Sequence, residues 1–174
     1  MRFWQQAVVL VRHELVLERR AGETWSIILP FGLAALVVVP LSIGSDLPLI
    51  SRVGPAIFWA VVLLFGMQIA FRHSSPDRGP TRDLVLLLGV DPAARFAGRA
   101  IANWVLLSGV MATLGVATIL LYTPAPINDW PNLVVVGILF GAGLSEVATI
   151  AGEITAGLGT RATLAPLLVA PLSL

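Results

Sequence analysis

The sequence predicts an all-α fold, a polytopic transmembrane helix bundle formed as one domain over residues 1–174. The first observation behind this is composition: 57% of residues are hydrophobic and 12% charged, whereas a soluble domain carries about 25% charged residues to clothe its core. The second is patterning. Uncharged stretches run from Thr24 to Ser45, Val53 to Phe71 and Ala100 to Asn128, and each holds an apolar block near the length a helix needs to cross roughly 30 Å of hydrocarbon. The third is where the charge goes. The segment "FRHSSPDRGPTRDLVLLLGVDPAARFAGR", Phe71 to Arg99, carries five of the eleven arginines.

Residues 1–23 come first and form an interfacial helix. Phe3, Trp4, Ala7, Val8, Val11 and Leu15 fall on one helical face, with Gln5, Gln6, Arg12, Glu14, Arg19 and Arg20 largely elsewhere. This suits a helix lying in the lipid interface, apolar face down; a soluble helix packed on a partner is the alternative. The segment lacks the continuous apolar stretch and small-residue cleavage site of a signal peptide. Spans follow at about residues 25–43, 53–71, 97–122 and 133–158, with an incomplete fifth at 162–174, so the chain reads as C-terminally short. Gly44 to Arg52 and Thr123 to Asn132, the latter with Pro124, Pro126 and Pro131, read as turns. Trp59, Tyr122 and Trp130 are candidate aromatic anchors, Trp59 equally a packing residue.

Orientation follows from the arginines, because positive residues near span ends stay on the cytoplasmic side. With the N-terminus inside, ten of the eleven arginines are cytoplasmic and only Arg52 is outside. The segment at residues 72–96 is then cytoplasmic. Pro76, Gly79 and Pro80 break the preceding helix, and Thr81 caps a short apolar helix through Leu84 to Leu88 that ends at Gly89. Asp91-Pro92 starts the next helix below the membrane, the Asp accepting from free backbone N–H groups and the Pro preset for a first turn. An apolar helix outside the lipid needs cover. A groove of a partner protein supplies it, with Leu84, Leu86 and Leu87 buried and Arg78, Arg82, Asp83 and Arg95 at the rim. The alternatives are the headgroup layer or the underside of the bundle itself.

Little chemistry is written elsewhere. There is no P-loop and no lysine, so the chain is not expected to cradle a nucleotide phosphate or hydrolyse ATP itself, and no catalytic motif, metal site or directly bound cofactor is expected. His13 and His73 lie in different segments and lack a second ligand nearby. Cysteine is absent, which removes disulfides and thiolate sites. Glu146 and Glu153 are the unusual intramembrane polar candidates, seven residues apart on one face of the fourth span. Ionised carboxylates at mid-bilayer cost about 2.5–3.5 kcal/mol on insertion scales and mark function by default. The other reading ends the span near Ser145 and leaves both wet. Small residues from Gly137 through Gly141, Ala142, Gly143, Ala148, Ala151, Gly152 and Ala156 allow close helix approach, within the chain or between copies.

At "PLSIGSDLPLISRVGPAIFWAVVLL", Pro40 to Leu64, the chain closely resembles the haem exporter B family, CcmB, through Pro40-Leu41-Ser42-Ile43-Gly44, Arg52, Gly54-Pro55 and Trp59. The resemblance continues through "LVLLLGVDPAARFAGRAIANW", where Ala102-Asn103-Trp104 is similar to the family's Ala-His-Trp stretch, and returns at "LLVAPLSL"; it is weak before Pro40. It implies an ABC-2-like permease with an N-terminal elbow helix and a cytoplasmic coupling helix, in the bacterial inner membrane. It also implies a homodimer, a separate ATP-binding subunit, a haem-handling membrane protein and a periplasmic haem chaperone, with the ATP cycle releasing the loaded chaperone. Besides these and membrane lipid, no nucleic-acid partner is expected. The chain departs from the family in its less acidic loop, in Glu146 and Glu153, in its early end, and in Trp130 standing without a tryptophan-rich motif. A drug or lipid permease of the same architecture and a non-transporting membrane scaffold are the competing functions.

Overall fold

The computed structural model describes residues 3–73, 91–124 and 129–157. The expected apolar helix with Arg78, Arg82, Asp83, Leu84, Leu86 and Leu87, and the fifth span from Ala162, lie outside the described residues. The chain runs as α1 (Phe3–Ala21), a π-helical turn (Thr24–Ile28) continuous with α2 (Leu29–Ile43), α3 (Leu47–His73), α4 (Pro92–Tyr122) and α5 (Trp130–Gly157). Four of these helical stretches, Thr24–Ile43, Leu47–Ile69, Pro92–Tyr122 and Trp130–Ile154, are long and apolar enough to cross a membrane. All described elements are helices, and the fold is the polytopic bundle the sequence predicts.

The corner between α1 and α2 is set by two residues. Gly22 takes φ +66°, which L side chains rarely adopt. Glu18, buried at the end of α1, accepts from the Thr24 backbone N–H at 2.6 Å and so satisfies a donor at the start of the next helix. Sequence periodicity missed this carboxylate.

α1 also faces differently from its apolar pattern. Ala7, Leu10, Val11, Glu14, Leu15 and Glu18 form the inner face at helical spacing, whereas Trp4 and Val8 are exposed. Glu14 turns inward because a buried cation awaits it on α4.

The turn after α2 is shorter than predicted. Only Gly44 to Asp46 intervene before α3 resumes at Leu47, because Asp46 Oδ1 accepts from the Leu49 N–H at 3.1 Å and caps the new helix. Arg52 therefore sits inside α3, not in a loop. α5 likewise begins at Trp130, where Asp129 Oδ1 accepts from the Asn132 N–H at 3.2 Å, and it continues unbroken past Ser145.

α4 is the axis of the bundle and packs on α1, α2, α3 and α5. Leu106, Leu107, Val110 and Leu114 form its buried stripe, with Leu36 from α2, Val62 and Ile69 from α3, and Leu144 from α5. At one end the approach is close enough to demand glycine. A Cβ at Gly54 would stand 2.7 Å from Tyr122 Cβ, so α3 and α4 meet there only without a side chain. The small residues of α5 divide by face: Gly141, Ala148, Ala151 and Gly152 are buried against the chain's own helices, whereas Gly143 faces open space. Trp59 packs edge-on against Phe58 and Phe140, with ring centroids 5.2 and 5.0 Å away, the packing role of its two predicted ones.

Candidate functional site

The polar residues that the bundle gathers lie where α4 enters it. Asp91 has extended backbone angles, its side chain accepts from the Ala93 N–H at 2.9 Å, and Pro92 occupies the first turn, as the sequence predicts. The Asp91 N–H donates to Gln6 Oε1 on α1 at 3.2 Å. Two turns on, a Cβ at Gly98 would stand 2.8 Å from Leu10 Cβ and 3.3 Å from the Ala7 carbonyl oxygen. The beginning of α4 is thereby held against α1 along its first two turns.

Arg99 is the centre of this region. Its side chain is 5% exposed, and Nη1 donates to Glu153 Oε1 on α5 at 2.7 Å while Nε lies 3.7 Å from Glu14 Oε1 on α1. Burying a guanidinium is costly unless opposite charge and hydrogen bonds accompany it. Glu153 supplies both here, whereas Glu14, beyond hydrogen-bond distance of Nε, supplies charge alone. They are less buried than their partner, 18% exposed for Glu14 and 40% for Glu153, so water reaches the rim of the cluster and not its cation.

One turn further along α4, Asn103 is 1% exposed and donates Nδ2 to Thr149 Oγ1 at 3.2 Å. Thr149 in turn donates to the Ser145 carbonyl at 2.6 Å. Asn103 Oδ1 is buried with no hydrogen-bond partner among the described residues. Asn103 occupies the position that resembles the histidine of the family's Ala-His-Trp stretch. Next to it, Trp104 Nε1 donates to the Ile138 carbonyl on α5 at 3.3 Å. Arg99, Asn103 and Trp104 thus tie α4 to α5 at three successive levels.

The two intramembrane carboxylates separate in role. Glu153 joins the Arg99 cluster, whereas Glu146 is exposed on the outer face of α5 and has no ion-pair partner among the described residues. Helix α5 runs unbroken past Ser145 to Gly157 and carries both carboxylates. His13 is exposed on α1, and among the described residues no group of three His, Cys, Asp or Glu side chains could hold a metal ion.

In the sequence, Arg99 reads only as a marker of sidedness. The available signal was its depth: it stands two turns into a helix whose remaining residues, Ala100 to Tyr122, are uncharged. A charge at that depth requires partners, and Glu14 and Glu153 were the carboxylates within reach of its end of the bundle.

Comparison with known proteins places the chain. Residues 5–174 match the family described as CcmB protein. The chain belongs to the CcmB family. The match begins at residue 5, so it takes in α1, where the sequence resemblance had been weak. The heme exporter protein B of Paracoccus denitrificans is 30% identical over 167 residues, covering 94% of this chain and 75% of that protein. That of Rhodobacter capsulatus is 29% identical with the same coverage, and that of Haemophilus influenzae 31% identical over 94% of this chain and 74% of the relative. No solved structure matches.

Proposed function

We propose that the chain is the membrane-spanning permease subunit of an ATP-driven complex that serves haem export in cytochrome c maturation. The observation that carries this is membership of the CcmB family along almost the whole chain, together with relatives named heme exporter protein B. ATP is bound by a separate subunit, and haem is handled by the complex, through a haem-handling membrane protein and a haem chaperone, rather than held by this chain. The complex works in the bacterial inner membrane with two copies of the permease. Release of the haem-loaded chaperone is the step driven by ATP.

The N-terminus faces the cytoplasm. Arg12, Arg19 and Arg20 of α1 lie at the same end of the bundle as Arg95 and Arg99 of α4, and Arg52 lies at the opposite end beside the Gly54 and Tyr122 approach. That asymmetry fits the cytoplasmic preference of arginine.

The segment at residues 72–96 is the coupling element, with Leu84, Leu86 and Leu87 in a groove of the ATP-binding subunit and Arg78, Arg82 and Asp83 at its edge. A push on this segment enters α4 directly through Asp91 and Pro92. α1 and α5 must follow, because Arg99 grips Glu14 on one and Glu153 on the other. Rigid helices linked by a charge cluster move as a unit until the cluster breaks. Releasing either carboxylate leaves the buried guanidinium short of a partner, so the cluster resists being pulled apart and carries the push to both helices.

Affinity purification of the tagged chain from membranes tests the proposal. The ATP-binding subunit should co-purify and hydrolyse ATP, and Leu86→Asp or Leu87→Asp should leave the chain inserted but lower that capture. Arg78→Ala should have a smaller effect, because rim charges contribute little. Unchanged capture by both leucine variants would remove the segment from the coupling role.

A further inference from the structure

A second feature lies at the other end of the bundle and does not depend on the haem reading. Between α3, α4 and α5 is a cavity of about 670 Å³, lined by Arg52, Trp59, Met111, Gly115 and Trp130 among others. This lies within the roughly 300–1,000 Å³ range of pockets that take small molecules. The lining hydroxyls are already engaged: Ser51, Ser108 and Thr118 donate to the carbonyls of Pro48, Trp104 and Leu114 in their own helices. Arg52 is the charged side chain of the lining, and it has no ion-pair partner among the described residues. The carboxylates near that end, Asp46 and Asp129, cap α3 and α5 instead.

The cavity is therefore apolar along its length and cationic at one end. That end also holds Ser51, Trp130 and Pro124, at the termini of three spans, which is headgroup depth in a bilayer. An apolar space with its polar partners spent does not hold ordered water. A guanidinium at headgroup depth pairs with a phosphate through two parallel N–H donors.

We infer that the α3–α4–α5 cavity with Arg52 at its mouth is a binding site for an anionic phospholipid, one acyl chain filling the cavity and the phosphate on Arg52. The net negative head selects against zwitterionic lipids, whose own ammonium offsets the phosphate. A zwitterionic lipid offers the same tail and a weaker head.

The full chain, purified in detergent containing equal phosphatidylglycerol and phosphatidylcholine, reports the occupant by native mass spectrometry. The wild type should retain phosphatidylglycerol in preference, and Arg52→Ala should lower that preference roughly fivefold, the scale of one partly exposed charge pair. Arg52→Lys should keep most of it. Gly115→Leu should lower retention of both lipids, since its Cβ meets Phe58 at an ordinary 3.8 Å and the remainder of the side chain enters the cavity. If that variant fails to fold, Ala112→Phe fills the same space. Equal retention of the two lipids by the wild type, or phosphatidylglycerol retention unchanged in both cavity-filling variants, overturns the inference. So does a crosslink in native membranes from Ala112→Cys to a second copy or to residues 158–174, which would make the occupant protein.

Discussion

The Tyr122 hydroxyl donates to the Leu36 carbonyl at 2.8 Å, and it does so in place of a backbone N–H that is missing. Leu36 would normally accept from residue 40, four positions on, but residue 40 is a proline inside α2. In a bilayer the unmet carbonyl has no water to turn to, so a side chain from α4 supplies the donor. The Pro40 that marks the family resemblance and the Tyr122 that ends α4 are one structural device.

Tyr122→Phe should therefore destabilise the protein by about 1–3 kcal/mol, the cost of a buried polar group without a partner. Pro40→Ala should rescue most of that loss in the Tyr122→Phe background by restoring the backbone bond, while changing little alone. Thermal unfolding of the four variants in one detergent measures the coupling. Additive effects would show that the two residues act separately.

At the α1–α2 corner, Glu18→Ala should lower stability by about 1.5–3 kcal/mol, since a hydrogen bond to a charged acceptor is lost from a buried helix start. Glu18→Gln should lose less, because it keeps an acceptor for Thr24 N–H. Chemical denaturation compares them. Equal losses would mean that Glu18 acts by charge alone and not as the acceptor at this corner.

Between α4 and α5, Thr149→Val should cost about 1–3 kcal/mol because it leaves the Asn103 amide donor unmet in a buried position. Asn103→Leu should cost less, for it removes that donor together with an acceptor that already has no partner among the described residues. Unfolding measurements that rank the two variants in the opposite order would contradict this account of the pair.

The fold was legible because bilayer thickness imposes its own length on apolar sequence, and Asp91-Pro92 announces a helix start through local chemistry alone. The same locality explains the errors. The Gly44 to Arg52 stretch reads as a turn because Arg52 is charged, yet α3 begins at Leu47, since a charge near a span end can stay helical. Periodicity puts Glu14 on the polar side of α1, because it reports hydrophobicity and says nothing of a buried arginine 85 residues away in sequence. The Arg99 cluster and the Tyr122–Leu36 bond join helices far apart in the chain. No spacing rule within one segment could have paired them.

Arg99 links the proposed coupling segment to both neighbouring helices, and removing it takes away the most deeply buried charge of the cluster. Arg99→Met should lower stability by less than the ~3–5 kcal/mol of a fully buried broken pair, because an apolar side chain of similar length replaces the cation and the two carboxylates, 18% and 40% exposed, are partly hydrated. Holocytochrome c, measured by haem staining in cells whose permease carries this substitution, tests the transmission role directly. The account predicts a fall of about tenfold, within the usual range of coupling between linked sites, while the ATP-binding subunit still co-purifies at the wild-type level. Wild-type holocytochrome c with a stably inserted Arg99→Met chain would contradict it.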